Sequence, residues 1–190
     1  MLDTTTITGC LTAPLQVAHS QHEIIRACHF RKQEYQKTYP SVTVQENDPF
    51  HDKAYVLYSC DHQGNINSTA SLVLDSDLGL PEDKLFPEKV NQYRRQGKKL
   101  MEIGRFVIED GQNLLKAYYR SVYEVAVHQG IDIILMVIRQ KDIPFHRKII
   151  GANTLIEDIG ENFGSQHTFS CMEWEVNKTY QRFIEWSNKR

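Results

Sequence analysis

The 190-residue chain is 41% hydrophobic and 24% charged, an ordinary globular composition with enough length for one sizeable domain and hardly for two. Its 22 basic and 24 acidic residues leave a formal net charge of −2, which argues against nucleic acid as a partner, since such binders carry strongly basic domains. The longest apolar run, IILMVI at 133–138, is far too short to span a bilayer. The first residues, MLDTTTITGCLTAPLQVAHS, have no basic stretch leading into an apolar one, so the expectation is a cytoplasmic protein whose residues 1–190 form a single domain.

Residues 1–18 are polar and uneven and read as a loose arm or an edge strand. From Ser20 to Lys37 the apolar positions Ile24, Ile25, Cys28 and Tyr35 fall near helical spacing, and Tyr39-Pro40 ends the pattern. SVTVQENDPFHD follows as a loop. KAYVLYSCD and INSTASLVLD are β-rich runs joined by HQGN, a hairpin signal with Gly64 at the turn. DLGLPEDKLFPEKVNQYRRQGKK is an insertion with a short helix expected near Pro87 to Gln96. KLMEIGRFVIE is the next strand. GQNLLKAYYRSVYEVAVHQG is the strongest helix, with Leu114, Leu115, Tyr118, Val122, Val125 and Ala126 on one stripe and Gly130 closing it. IDIILMVIR reads as a strand covered on both faces. KDIPFHRKIIGANTLIEDIG reads as a short helix plus turn, and HTFSCMEWEV as a late strand. Strand, helix and strand at the centre imply a right-handed parallel crossover beside antiparallel strands, hence a mixed α/β domain.

Cys10, Cys28, Cys60 and Cys171 are widely scattered without C-x-x-C or Cys/His spacing, so free thiols are expected and no metal site. His19 and His22 share a helical spacing and read as surface residues.

MEIGRFVIE, residues 101–109, poses the chemical question. An apolar strand here carries Glu102, Arg105 and the mid-strand Gly104. Regular alternation puts Glu102 and Gly104 on one face and Arg105 on the other. A bulge at Gly104 would change that phase, let Glu102 and Arg105 line one cleft, and free main-chain groups from Phe106 to Ile108 for an extended ligand. The alternative is a strand end with an exposed ion pair.

The stretch resembles the E-I-S-R-F motif of the acyl-homoserine-lactone synthases and the long-chain N-acyl amino acid synthases, both in the GNAT superfamily of N-acyltransferases. ENDPFHD resembles their E-x-D-x-F-D motif through Glu46, Asp48 and Phe50. Arg26 and Phe30 match an R-x-x-x-F pair, TASLVLDSDLGLP resembles the strand that follows, and FHRKIIGANTLIEDIG the late R-x-x-G turn. The resemblance runs from about Arg26 to Gly160. It implies a GNAT fold: a mixed central sheet with flanking helices and a splayed, bulged central strand. His51, Ser71 and Tyr35 or Gln36 depart from the aspartate, arginine and tryptophan of the pattern. In the lactone synthases these positions resemble the part of the site that holds S-adenosylmethionine, so an amino acid or related amine is the expected acceptor. The glycine-rich pyrophosphate loop of ordinary acetyltransferases is missing after Ile108.

The resemblance implies acyl transfer from a thioester to an amine, with acyl-CoA or an acyl-phosphopantetheine on acyl carrier protein as co-substrate and no permanently bound cofactor. Such chemistry needs a base, oxyanion donors and alignment of the two substrates. Glu46 is the first candidate base and Glu102 the second. Asp48 and Arg26, with Phe30 and Phe50, would hold the acceptor, and Arg105 would orient Glu102 and the Glu46 loop. The main chain of Phe106, Val107 and Ile108 would bind the donor. Arg94, Arg95, Lys98 and Lys99, and a second cluster of Arg139, Lys141, Arg147 and Lys148, could meet an acidic carrier protein or simply be solvated faces. Phe145, Tyr118 and Tyr119 could line an acyl tunnel or belong to the core. The other readings are a homoserine-lactone synthase using S-adenosylmethionine and a catalytically silent module that binds an acyl carrier protein or lipid.

Overall fold

The computed structural model describes residues 2–39, 48–109, 112–160 and 168–189. A seven-stranded sheet with order β1-β2-β3-β4-β5-β7-β6 forms its centre. The strands are β1 (Gln16–Val17), β2 (Ala54–Cys60), β3 (Ile66–Leu74), β4 (Leu100–Ile108), β5 (Ile133–Arg139), β6 (Asn153–Ile156) and β7 (Phe169–Glu175). Only β4 and β5 pair in parallel; every other neighbouring pair is antiparallel. The crossover expected from strand–helix–strand order is therefore the connection through α3 (Gln112–Gln129).

α1 spans Gln21–Thr38, within one residue of the helix read from the sequence. Ser20 caps it: its hydroxyl accepts from the Glu23 N–H, and the Glu23 carboxylate accepts from the Ser20 N–H. α2 (Pro87–Arg95) is the insertion helix, started by a proline at its first position. α4 (Ile143–Phe145) runs into a wider π-helical turn, His146–Ile150. Three elements lay beyond the sequence reading. Thr4–Cys10 forms a 3-10 helix, with Ile7 fully buried, rather than a loose arm, while Gln16–Val17 supply the expected edge strand. β6 edges the sheet, and α5 (Gln181–Asn188) closes the described chain.

The sheet divides two layers. On one face Tyr55, Leu57, Ala70, Leu72, Met101 and Ile103 pack with Tyr118, Val122 and Val125 of α3 and Phe183 of α5. On the other, Ala54, Val73 and Leu100 meet Leu80, Phe86, Val90 and Tyr93 of the insertion. Val56, Tyr58 and Ile66 on that same side meet Ile24, Ala27 and Phe30 of α1. Both faces are covered, so β2 buries all but its last residue and β5 its first four, Ile133 to Met136, before the strand runs to half-buried positions. The candidate site lies in the second layer, where α1 and the insertion meet over β3 and β4.

Candidate active site

β4 and β5 pair only at Leu100–Ile133, Met101–Ile134 and Glu102–Leu135. Both strands then continue without pairing to one another, so the sheet opens into a V whose vertex is Glu102. β4 stays bound to β3, but its register slips: Ser71 faces Gly104 and Thr69 faces Val107, leaving Arg105 and Phe106 opposite the single residue Ala70. The bulge is therefore one residue later than Gly104. Arg105 takes a left-handed conformation, φ 55°, uncommon for a residue with a side chain.

This bulge changes which side chains share a face. Met101 and Ile103 point to the α3 layer, as Phe106 and Ile108 do after the slip, while Val107 packs toward α1. Arg105 would point toward α3 in a regular strand. It instead reaches Asp48 on the α1 side, its Nε donating to Asp48 Oδ2. Glu109 N–H donates to the Asn67 carbonyl on β3, so by alternation the N–H of Ile108, beyond the bulge, faces the open V.

Asp48 lies just before β2 and gathers a buried polar cluster. Its Oδ1 accepts from the Phe50 N–H at 3.0 Å. Arg31 Nη2 and His51 Nε2 each stand 3.9 Å from Oδ2. Cys28 Sγ is 3.2 Å from His51 Nε2, and the Arg105 guanidinium lies over the Phe50 ring at 5.7 Å. Burial pushes the Asp48 carboxyl up, but the charge and hydrogen bond of Arg105, the Phe50 N–H and His51 outweigh it and hold the group below its ordinary value. Burial also lowers His51, against the pull of Asp48, which favours a neutral ring.

A second group lies at the vertex. Glu102 is only 3% exposed and Glu82, from the turn Pro81–Lys84, only 5%. The Glu82 N–H donates to Glu102 Oε2 at 3.0 Å, and the Glu82 carboxylate accepts from the Val137 N–H on β5, two residues past the last parallel pair. Glu82 thus fills the start of the V. A Cβ at Gly104 would stand 3.0 Å from Glu102 Oε1, so the glycine makes the space over which Glu102 folds. Burial raises the Glu102 carboxyl to about 7, opposed by Arg105 and the Glu82 N–H and reinforced by Asp83 and Asp48. Burial and the charge of Glu102 raise Glu82 well above the ordinary carboxyl range.

The other residues singled out in the sequence fall in several places. Glu46 lies outside the described residues. Arg26 is exposed, and its guanidinium donates to the Gly64 carbonyl at the hairpin turn. Arg31, one helical turn and a residue further, is the α1 arginine beside Asp48, a difference a motif match at Arg26 does not signal. Phe30 is buried between α1 and the sheet. Phe106 packs edge-on against Tyr118 at 4.9 Å, and Phe145 against Tyr119 at 5.9 Å. Arg139 pairs with Asp142, Arg147 with Thr154 and Glu157, and Arg94 with Asp75 and Asp83. Glu82 was not anticipated, because nothing in its local sequence distinguishes it from an exposed acid in a proline-bounded turn.

A family model described as N-acyl amino acid synthase FeeM matches residues 24–168. No curated protein gives a significant match. Among solved structures, FeeM, an N-acyl amino acid synthase from uncultured soil microbes, superposes with TM-score 0.73 at 17% identity, over 86% of this chain and 90% of that one. The CoA-dependent acyl-homoserine lactone synthase BjaI, solved with SAM and isopentyl-CoA, gives TM-score 0.62 at 13% identity over 91% and 85%. The ribosomal-protein-alanine N-acetyltransferase of Brucella melitensis gives 0.56 at 13% over 85% and 98%. The fold is accordingly GNAT-like.

Proposed function

The chain belongs to the N-acyl amino acid synthase FeeM family, and on that premise we propose that it transfers an acyl group from a thioester to the amino group of an amino acid, with Glu102 as base. An N-acyltransferase needs a base that is unprotonated near neutral pH yet able to take a proton from an ammonium or an attacking amine, a role a raised carboxyl can fill. Glu102 meets that need through burial at the vertex of the V, which is the observation that carries the reading. The unpaired edge of β4 beyond it supports a donor laid along the V, its carbonyl facing the N–H of Ile108.

In the proposed step the amine nitrogen bonds to the thioester carbonyl carbon and the C–S bond breaks. The amine proton passes to Glu102 and the sulfur leaves as the thiolate of the donor arm. Arg105 and Asp48 hold the bulge and the loop ahead of β2 in one arrangement. Phe50, under the Arg105 guanidinium, offers the acceptor an apolar side.

The donor is an acyl-CoA or an acyl group on the phosphopantetheine of acyl carrier protein, which present the same thioester and arm. The isopentyl-CoA of the BjaI structure supports the first. A cytoplasmic location fits either donor, and among the described residues no helix is long and apolar enough to cross a membrane. The test is thiol release from acyl-CoA and acyl-carrier-protein donors of several lengths, with pools of amino acids, simple amines or S-adenosylmethionine. Release dependent on amino acids is expected. Release with S-adenosylmethionine alone would favour a homoserine-lactone synthase, and a folded protein that binds carrier without turning over any pool would overturn the enzyme.

A further inference from the structure

We propose that Glu82 and Glu102 act as one buried carboxyl pair holding a single proton, with Glu82 the positioning residue that keeps Glu102 available as the base. The proposal rests on the acyltransferase reading for its role in turnover, and on burial, hydrogen bonding and mutual charge for the pair itself. Two carboxyls, 5% and 3% exposed, come from separate elements to one point, where the backbone of one donates to the side chain of the other at 3.0 Å. Among the described residues the Val137 N–H donates to the Glu82 carboxyl and the Glu82 N–H to that of Glu102. The two carboxyls feel one another's charge, and neighbouring buried carboxylates do not both ionise without a cation between them.

Among the described residues, the charged and titratable groups facing the pair do not supply that cation. Arg105 on β4 acts on both carboxyls, yet its guanidinium is committed to Asp48, where Arg31 and His51 also gather. Asp83, from the same turn as Glu82, adds negative charge, and so does Asp48. On β7 the buried Cys171 thiol is pushed up to about 12 by burial and by Glu82 and Glu102 together, so it stays neutral beside them. One retained proton is the arrangement that satisfies the site, and Glu82 is the carboxyl driven further toward the protonated form.

Two buried polar atoms here have no partner among the described residues, Glu82 Oε2 and Ser71 Oγ. Ser71 stands opposite Gly104, on the sheet face that carries Glu102. An entering ammonium would satisfy the orphaned oxygens. It first gives one proton to Glu102, which releases it to solvent and leaves a neutral amine. As the amine bonds to the carbonyl carbon and the C–S bond breaks to the thiolate, Glu102 takes the second proton, so the pair passes from one proton to two and back at each of the two transfers.

The experiment is a carboxyl titration of the free full-length protein, labelled with ¹³C at glutamate side-chain carboxyls, in wild type, Glu82→Gln and Glu102→Gln. In wild type, two carbons should each respond in two successive steps, both above the ordinary carboxyl range. Each amide variant should keep one step, with circular dichroism verifying its fold. Two carbons titrating independently, or together in the ordinary range, would overturn the pair. A parallel pH profile of thiol release should lose its alkaline limb in Glu82→Gln; an unchanged limb would remove Glu82 from the role. If the shared titration appears but no acceptor supports release, the acyltransferase reading fails and the pair stands.

Discussion

Glu102 shows at the residue scale how function is set against stability. Its carboxyl titrates near 7 in the folded protein against an ordinary value of 4.5. Between those values the unfolded chain is ionised and the folded chain is not. The folded state then binds more protons, so the Glu102 contribution to stability falls as pH rises from about 4.5 to about 7, and the more strongly raised Glu82 extends the fall above that. The Glu102 interval corresponds to roughly 3 kcal/mol. Glu102→Gln is expected to match wild type near pH 5, to be more stable by about 1–3 kcal/mol at pH 8, and to lose thiol release by about 10²-fold or more. Thermal unfolding at the two pH values checks this; a variant less stable at pH 8 would contradict the buried charge.

Asp48 and Arg105 carry the opposite sign. The Asp48 carboxyl is lowered, so the stability it contributes is present above the ordinary carboxyl value and is lost as pH falls through the folded one. Arg105→Gln removes the guanidinium and leaves Asp48, whose side chain is 8% exposed, without its main partner. The expected cost is about 2–4 kcal/mol. The folded variant should also show a larger fall in turnover than in acceptor affinity, because the bulge that aims the main chain is no longer tied. Denaturant unfolding and a comparison of kcat with KM separate the two effects.

At the scale of elements, the bulge explains why a strand carries the composition of MEIGRFVIE. Its existence was legible, because a glycine, a carboxylate and a guanidinium in an apolar strand are inconsistent with unbroken alternation. Its position was not, since the eye rests on Gly104 while Arg105 takes the left-handed conformation. The glycine has another duty, space for the Glu102 carboxyl. Gly104→Ala should therefore displace Glu102 rather than break the strand. The expected outcome is a protein with near-native far-UV circular dichroism and turnover reduced about 10-fold or more; wild-type turnover would show that Glu102 does not need that position.

The same contrast recurs among the other elements. The hairpin, α1 and α3 were legible because period, caps and turn residues are local. Glu82 and Arg31 were not, because their chemistry comes from the layer that α1 and the insertion form together over β3 and β4. Arg26 matched a motif yet points to the hairpin turn. α5 has Phe183 and Trp186 three apart but runs only eight residues, too short for its period to stand out.

Across the whole molecule the sheet separates two tasks. The α3–α5 layer is apolar and aromatic: Phe183, fully buried, packs against Trp174 at 5.0 Å and Tyr123 at 5.5 Å. The opposite layer contains the buried carboxyls, the orphaned oxygens of Glu82 and Ser71 and the positive-φ arginine, each a cost to folding. The first layer must therefore supply stability that the second gives up. Phe183→Ala is expected to cost about 3–5 kcal/mol while leaving turnover per folded molecule, and its pH profile, within about twofold of wild type. Combined with Glu102→Gln, its effect should add, because the substitutions lie on opposite faces of the sheet and share no contact. Unfolding of the single and double variants at pH 8 measures this directly. A coupling above about 1 kcal/mol would mean that the two layers respond as one, and that the site's strain is spread through the core instead of being held at the vertex of the V.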